Sequence, residues 1–440
     1  MSCTHALDRP VSSGIGNSAD LSPAARRTAT RPGPDAGRPG RQARTAWFAV
    51  TAAINTGLIM WSAGHGGVGG WAVDWSLAAF CIAVAARHDG IVRGVFVLGR
   101  LVPSYRLHQL TYHLGQLHRA MAIAGMAWLA VAVTLAVPSS PVARVASAGV
   151  LVILTVMART ARDRVRQSQH NRFESVHRLG GWAALGILAV IVPVEAGRSL
   201  PPGSGPAGLA RQPSVLLLAT LVMLVAHPWL GVRRLPAEFL AVTSEVIVVA
   251  LPGRRLLGEF VRVSREGHEW HSFAVATAGR EGPGRYCLVI RRAGDWTERL
   301  ARDVEDGRAP AWLWVRRMRG YGFMYHAQAY RRVLMVATGA GIGPVLPYLL
   351  SRSPVQFECL WIGRCHRAAM GTDLVDRVLA SGSVTLIDTS RGRPDVGACV
   401  ADVANRFDAV FVVSNDVVRD AVARACESLG VPWYGPTFDS

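Results

Sequence analysis

The chain has 440 residues, 50% of them hydrophobic, and a formal net charge of +18 at pH 7. This length allows two or three domains, and so apolar a composition excludes a wholly disordered chain. The positive charge is carried by Arg alone, with no Lys, and its placement along the chain, described below, excludes nucleic-acid binding as its explanation.

Residues 1–45 are rich in Pro, Gly, Ser, Ala and Arg and lack an apolar period, so they read as a disordered tail. Six apolar stretches follow at about 46–63, 69–86, 114–137, 143–158, 178–197 and 213–231. Each is near the ~20 residues that a bilayer-spanning helix needs. The expectation is an all-α six-helix transmembrane bundle over 46–235. Arg residues crowd the tail before the first stretch, the connection between the second and third (Arg87, Arg93, Arg100, Arg106), the connection between the fourth and fifth (Arg159, Arg162, Arg164, Arg166, Arg172), and the exit at Arg233 and Arg234. The other connections are nearly bare. This alternation follows the positive-inside rule and predicts an integral membrane protein, of the plasma membrane, with both termini cytoplasmic. Within it, 87–112 is too polar to span and reads as an interfacial helix.

From about 236 the pattern changes to short β-branched runs at 242–251, 259–264, 272–277 and 285–291, separated by Gly-rich turns. These predict an antiparallel β-barrel over 236–328. From 329 to 440, strand-like runs at 332–338, 357–362, 383–388 and 408–414 alternate with helical segments, which predicts an α/β domain with a parallel sheet. The seven Cys show no CxxC or Cys/His metal spacing and read as reduced, mostly buried thiols.

Three motifs carry chemistry. In the first, a buried strand from Arg332 runs into Thr338-Gly339-Ala340-Gly341-Ile342-Gly343-Pro344 and then a helix. Glycines let the backbone approach a pyrophosphate, and a helix N-terminus offers free N–H groups. A tight strand-to-helix turn would have the same sequence. In the second, Gly294-Asp295-Trp296-Thr297 ends a strand and caps a helix, either as another anion site or as an ordinary cap. The third, His271-Ser272-Phe273-Ala274 at a strand start, offers stacking and hydrogen bonding to a flavin, or is an ordinary strand.

Taken in order, the three resemble the reductase domain of the ferric reductase and NADPH oxidase family. There a His-Pro-Phe-Thr/Ser motif contacts FAD, a Gly-Asp-Trp-Thr motif follows, and a GxGIxP loop binds the nicotinamide nucleotide. Gly320-Tyr321-Gly322 stands where that family has a Gly-Pro-Tyr/Phe-Gly turn. The resemblance covers roughly 236–440, and the preceding apolar stretches match the family's architecture. Phe173-Glu174-Ser-Val-His177-Arg178-Leu-Gly-Gly-Trp182 and the Pro-Thr-Phe-Asp-Ser440 ending are similar to the TmpA-type integral membrane flavoproteins.

The resemblance implies a ferredoxin-NADP reductase-like flavoprotein. FAD (or FMN) would be held by His271, Ser272, Phe273, Gly294, Asp295, Trp296 and Thr297. NADH or NADPH would be held by Thr338, Gly339, Gly341, Ile342, Gly343, Pro344 and Ser414. Hydride would pass from NAD(P)H to flavin, then electrons to an unknown acceptor at or near the membrane. The sequence departs at Ser272, at Ala274, and at Val413-Ser414-Asn415-Asp416, which replaces the family's Cys-Gly-Pro. These departures leave open a second reading, a non-catalytic signalling membrane protein that keeps the reductase fold. Arg364 after the strand at 357–362 leans toward NADPH.

The family's haem-binding members carry four histidines on two helices. Here His118 and His177 stand alone, with Val131 or Ala132 and Val190 or Ile191 where the outer pair would be. The remaining pair reads as the ligands of a single inner haem, as interfacial histidines paired with Glu174 or lipid headgroups, or as a site for a substrate or quinone. Asp74 and His227-Pro228 are further polar residues inside apolar stretches.

Overall fold

The structure is a computed structural model that describes residues 39–65, 67–102, 105–254, 256–277, 282–351 and 355–435. Most of the expected disordered tail, and the closing Pro-Thr-Phe-Asp-Ser440, lie outside the described residues. The chain divides into two compact units, a helical one of Arg38–Ile91 and His113–Leu230, and a strand-rich one that takes Val92–Tyr112 together with Gly231–Ser440.

The N-terminal half is helical: α1 (Pro39–Gly64), α2 (Val68–Ala85), α3 (Asp89–Leu101), α4 (Tyr105–Thr134), α5 (Pro141–Thr160), α6 (Asp163–Ser168), α7 (His170–Arg198), α8 (Gly205–Ala210) and α9 (Pro213–Ala226). Helix α1 begins at Pro39, inside the stretch expected to be tail. All six apolar stretches are helical, but the expected six spans reduce to four among the described residues. Val68–Ala85, Thr111–Thr134, Pro141–Thr160 and His170–Arg198 are long and apolar enough to cross a membrane by length and composition. The apolar helix from Pro213 to Trp229 is shorter than that. The core of the helical unit gathers Leu77, Leu129, Val150, Leu185, Leu188, Leu218 and Leu221 from α2, α4, α5, α7 and α9. Close crossings use glycines: a side chain on Gly125 of α4 would meet the Phe80 ring of α2 at 2.6 Å.

In the strand-rich unit β1 (Val232–Pro236), β2 (Glu238–Val242), β3 (Val246–Pro252), β4 (Glu259–Ser264), β5 (His271–Ala276), β6 (Arg285–Arg291), β7 (Trp312–Arg316) and β8 (Gly320–Tyr321) form one antiparallel sheet. Its order is β1-β7-β4-β5-β6-β3-β2, with β8 on β4. The expected closed barrel is not formed: β1 and β2 are its two ends, and no pairing joins them among the described residues. The turn at 243–245 divides the expected strand 242–251 between β2 and β3. Helix α10 (Asp295–Glu305) covers the sheet, burying Trp296, Thr297, Leu300 and Ala301 along one face at helical spacing.

The last third is a parallel sheet of β9 (Arg332–Thr338), β10 (Gln356–Gly363), β11 (Val384–Asp388), β12 (Ala409–Val413) and β13 (Trp433–Tyr434). Helices α11 (Leu346–Leu349), α12 (His366–Met370), α13 (Thr372–Ala380), α14 (Val396–Ala401) and α15 (Asp416–Leu429) connect them. The order β11-β10-β9-β12-β13 reverses direction beside β9, the doubly wound arrangement that opens a crevice at the strands' carboxyl ends. Continuous apolar runs make this sheet possible. Val333, Met335 and Ala337 of β9 enter one core, and Leu334 and Val336 enter another, so both faces are covered. Cys81, Cys287, Cys359 and Cys426 are buried free thiols and Cys365 an exposed one.

Candidate nucleotide and flavin site

The second and third motifs, separated in sequence, meet in space. His271 opens β5 and Phe273 follows two residues on, so both project from the same face of the strand. Trp296 lies in the first turn of α10. The His271 ring is 4.7 Å from that of Trp296, and Phe273 is 6.0 Å from it. His271 Nε2 is 2.9 Å from Glu269 Oε1, and Arg299 reaches the other oxygen of Glu269 at 3.3 Å. This fixes the imidazole between its own strand and α10. Ser272, one residue out of phase, is exposed on the opposite side.

Thr297 is the anchor of the second motif. Its hydroxyl accepts from the backbone N–H groups of Ala293 (3.0 Å) and Gly294 (3.1 Å) and donates to the Gly294 carbonyl at 2.9 Å. Gly294 is the N-cap in extended backbone, and a side chain there would meet nothing within 4 Å. The cap is thus an open step beside the aromatic cluster, with Asp295 at the first helical position. Arg292 ties the approach to α10 through Glu298 at 3.0 Å and the Thr243 carbonyl at 3.0 Å.

The glycine loop leaves β9 at the reversal of the parallel sheet. Thr338 Oγ1 and Ser414 Oγ, at the carboxyl ends of adjacent strands β9 and β12, are 2.8 Å apart. Gly339 has φ +50, the left-handed region, and a Cβ there would meet nothing within 4 Å. Gly341 differs: a Cβ would lie 2.5 Å from the Val413 carbonyl oxygen, so this glycine serves the protein's own packing. Gly343 abuts Val289 of β6, with a Cβ position 3.3 Å away, and Ile342 is fully buried. The loop therefore sits against the strand that leads into Gly294. The expected helix after the loop is not there. Residues 339–342 form a 3-10 turn and α11 is a single buried turn, so Pro344 precedes no long helix whose N-terminus would face an anion. The available donors are the loop's own backbone.

The departure at Val413-Ser414-Asn415-Asp416 has a local cause. Asn415 Oδ1 accepts from the Val418 N–H at 3.1 Å and caps α15, while buried Ser414 bridges to Thr338. After β10, Arg364 is exposed, and Asp388 stands in register beside Gly363 at the end of β11. Hydrogen bonds from Ser390 hold the Asp388 carboxyl below the usual carboxylate range.

Gly320-Tyr321-Gly322 pairs with β4, and a Cβ on Gly320 would collide with the Phe260 ring. This turn anchors two features that the sequence does not reveal. Glu259, 2% exposed, is held between Arg93 of α3 (3.3 Å) and Arg319 (3.1 Å), and Arg93 also donates to the Tyr321 hydroxyl at 2.9 Å. The segment read as interfacial thus spends part of its polar face on the sheet. Beside it, His108 is wholly buried, stacked 4.1 Å from His326, which in turn stacks 4.7 Å from Phe96. His108 Nε2–H donates to the Gly99 carbonyl at 3.0 Å, so Nδ1 accepts from the Tyr434 hydroxyl at 2.7 Å, and Tyr434 accepts from Tyr330 at 2.6 Å. Burial lowers the pKa of His108 and pushes that of His326 down to about 2. No local motif marks these residues, because their side-chain partners come from 60 to 326 positions away in the chain.

In the helical unit, His118 and His177 come together with ring centroids 6.3 Å apart, and both line one cavity. His118 Nδ1 donates to the Ala83 carbonyl at 2.8 Å, whereas His177 Nδ1 is buried without a partner. No group of three or more metal-ligating side chains occurs among the described residues. His227 Nδ1 lies 3.1 Å from His88 Nε2, and Asp74 Oδ1 is buried without a partner.

Residues 323–440 match the family model described as "Adenylate-forming reductase 03009, C-terminal domain". Two relatives from Coprinopsis cinerea are similar over most of the chain. Adenylate-forming reductase 03009 is 28% identical over 89% of this chain and 40% of its own length. Adenylate-forming reductase 06235 is 27% identical over 82% of this chain and 36% of its own. The chain thus spans about two fifths of the length of these relatives, and neither bears the ferric-reductase name that the motifs suggest. Among solved structures, a ferredoxin NADP+ reductase from Neisseria gonorrhoeae with bound FAD and NADP overlaps 46% of this chain and 92% of its own, at a TM-score of 0.36 and 13% identity.

Proposed function

We propose that this chain is a membrane-bound flavin-dependent oxidoreductase that takes hydride from NAD(P)H onto FAD and passes electrons to an acceptor at or near the membrane. The observation that carries this reading is the meeting of the His271–Phe273 and Gly294–Thr297 motifs in one aromatic corner, with the Gly339–Pro344 loop lying against β6 beside it. The residues fit the groups they would hold. The side-chain positions of Gly294 and Gly339 open on free space that protein packing does not use, which leaves room for a flavin and a nucleotide. When bound, the flavin would supply two-electron carrier chemistry. The chain's own work is positional. Thr297 holds the 293–294 backbone, His271, Phe273 and Trp296 offer a stacking surface, and Thr338 and Ser414 define the crevice floor. The similarity to two proteins named as reductases supports the oxidoreductase reading. Arg364 favours NADPH over NADH, since a guanidinium there suits a 2′-phosphate.

Membrane residence rests on an inverted surface. In the four long apolar helices only 22–33% of the most apolar window is buried, and apolar side chains such as Ile82, Ile123, Val152 and Val190 are exposed. The Arg pattern supports cytoplasmic termini. The test is the full chain expressed in cells and fractionated. The expected result is resistance to alkaline carbonate extraction, with FAD (not FMN) released by acid from the detergent-purified protein. A carbonate-soluble protein without flavin would refute the reading, and would favour a non-catalytic role for the reductase fold.

A further inference from the structure

The helical unit holds a partly open cavity of about 650 Å³. Its walls are apolar side chains of α1, α2, α4, α5, α7 and α9, among them Phe48, Met126, Leu154, Leu188 and Leu221. Its polar lining is confined to His118, Arg119, Arg162, Asp163, His177 and Arg178, midway along α4, in the first third of α7 and at the start of α6. Such a volume is that of a small-molecule site, and a site apolar along its length and polar at one end suits an amphiphile.

The polar end is under-satisfied. Arg119 is paired with Asp163 at 2.9 Å. His177 Nδ1 is buried without a hydrogen-bond partner, and the next residue, Arg178, lines the cavity with its Nη1 3.7 Å from Glu174 Oε1. Buried polar atoms almost always find partners, so this exception at the polar end of a cavity calls for a bound group. Across from them, the Nδ1–H of His118 is committed to the Ala83 carbonyl, which leaves Nε2 of the neutral ring as an acceptor. The pair thus offers both a donor and an acceptor, 6.3 Å apart between ring centroids. Two aromatic rings, Trp182 and Trp229, stand 6.3 Å apart on the lining.

We infer that this cavity binds a lipid-soluble quinone, its ring oxygen between His118 and His177 and its apolar tail along Met126, Leu154 and Leu188. A quinone carbonyl accepts from imidazole N–H and guanidinium N–H, and a quinol hydroxyl donates to imidazole nitrogen, so the same groups serve both forms. Haem is the weaker occupant. Imidazoles that ligate a metal normally give their second N–H to a protein acceptor, and His177 has none. The inference concerns binding alone, and holds whether or not the strand-rich unit carries a flavin.

The test is titration of the detergent-purified full chain with decylubiquinone, read by quenching of tryptophan fluorescence. Saturable quenching is expected, about tenfold weaker in His177→Leu, which removes one hydrogen-bonding partner. It should be abolished in Gly181→Phe, because the side-chain position of Gly181 has room, with only the Met157 methyl at 3.8 Å. Unchanged circular dichroism would confirm that both variants fold. Linear, unsaturable quenching equal in all three proteins would overturn the inference, since it reports quinone dissolved in micelles. A Soret band in the purified protein, lost in His118→Leu and His177→Leu, would overturn it in favour of haem.

Discussion

The two units place their unpartnered polar groups differently. In the strand-rich unit Glu259 sits between two guanidiniums and His108 uses both ring nitrogens, while His326 Nδ1 and the Tyr286 and Ser351 hydroxyls are buried in the packed core without a partner. The helical unit buries Leu77, Leu129 and Leu188 in its core but leaves Val142, Val145, Leu179 and Val190 exposed. Its interior keeps Asp74 Oδ1, Gln116 Oε1 and His177 Nδ1 without hydrogen-bond partners. A stable fold tolerates few orphans, so one that lines a cavity, as His177 does, marks a place for something else to bind. Where every group is paired, as around Glu259, the arrangement reads as architecture.

Substitutions should separate the two regimes. The largest effect is expected at Glu259→Ala, which strands two arginines and should destabilise the strand-rich unit by about 3 kcal/mol, measured by chemical denaturation. The buried histidines come next. The folded pKa of His326 lies far below that of an unfolded histidine, near 6.5. Below that pH the unfolded chain takes up a proton that the folded one refuses. Stability should therefore fall as pH drops from about 6.5, by up to about 1.4 kcal/mol per pH unit for each such histidine, and be flat above it. His326→Phe, which keeps the stack on Phe96, should reduce that slope; an unchanged slope would break the account.

Thr297→Val removes a cap that serves two backbone N–H groups and should cost about 1 kcal/mol, together with flavin affinity. Asp74→Leu, in the helical unit, has no partner to lose at Oδ1 and should be neutral or stabilising by up to about 1 kcal/mol in thermal melts. Smallest of all, Gly294→Ala should leave the melting temperature unchanged, because the backbone there is extended and the space open, yet lower the flavin content.

Much of this organisation is legible in the chain. Runs such as Val333–Ala337 and Ala409–Val413 announce buried parallel strands, and the six apolar stretches announce helices. The short motifs give the corner of His271, Phe273 and Trp296, because strand alternation and a capped helix start fix where those side chains point. Other features are not local. Closure of the sheet depends on whether β1 reaches β2, which no residue of either strand encodes alone. The helix expected after Gly343 is cut to one turn as Leu346–Leu349 sinks into the core. The His108–His326 stack and the cavity beside His177 arise from partners distant in sequence, each of which looks ordinary in its own segment.

The central claim is that the strand-rich unit joins flavin and nicotinamide nucleotide in one crevice. The most direct measurement is the visible spectrum of the detergent-purified full chain under anaerobic conditions, before and after NADPH or NADH. The account predicts a flavin spectrum that bleaches on addition, faster with NADPH, and a much slower bleach in Gly341→Val, whose side chain would press on the Val413 carbonyl. A colourless protein, or a flavin that neither nucleotide bleaches, would contradict it.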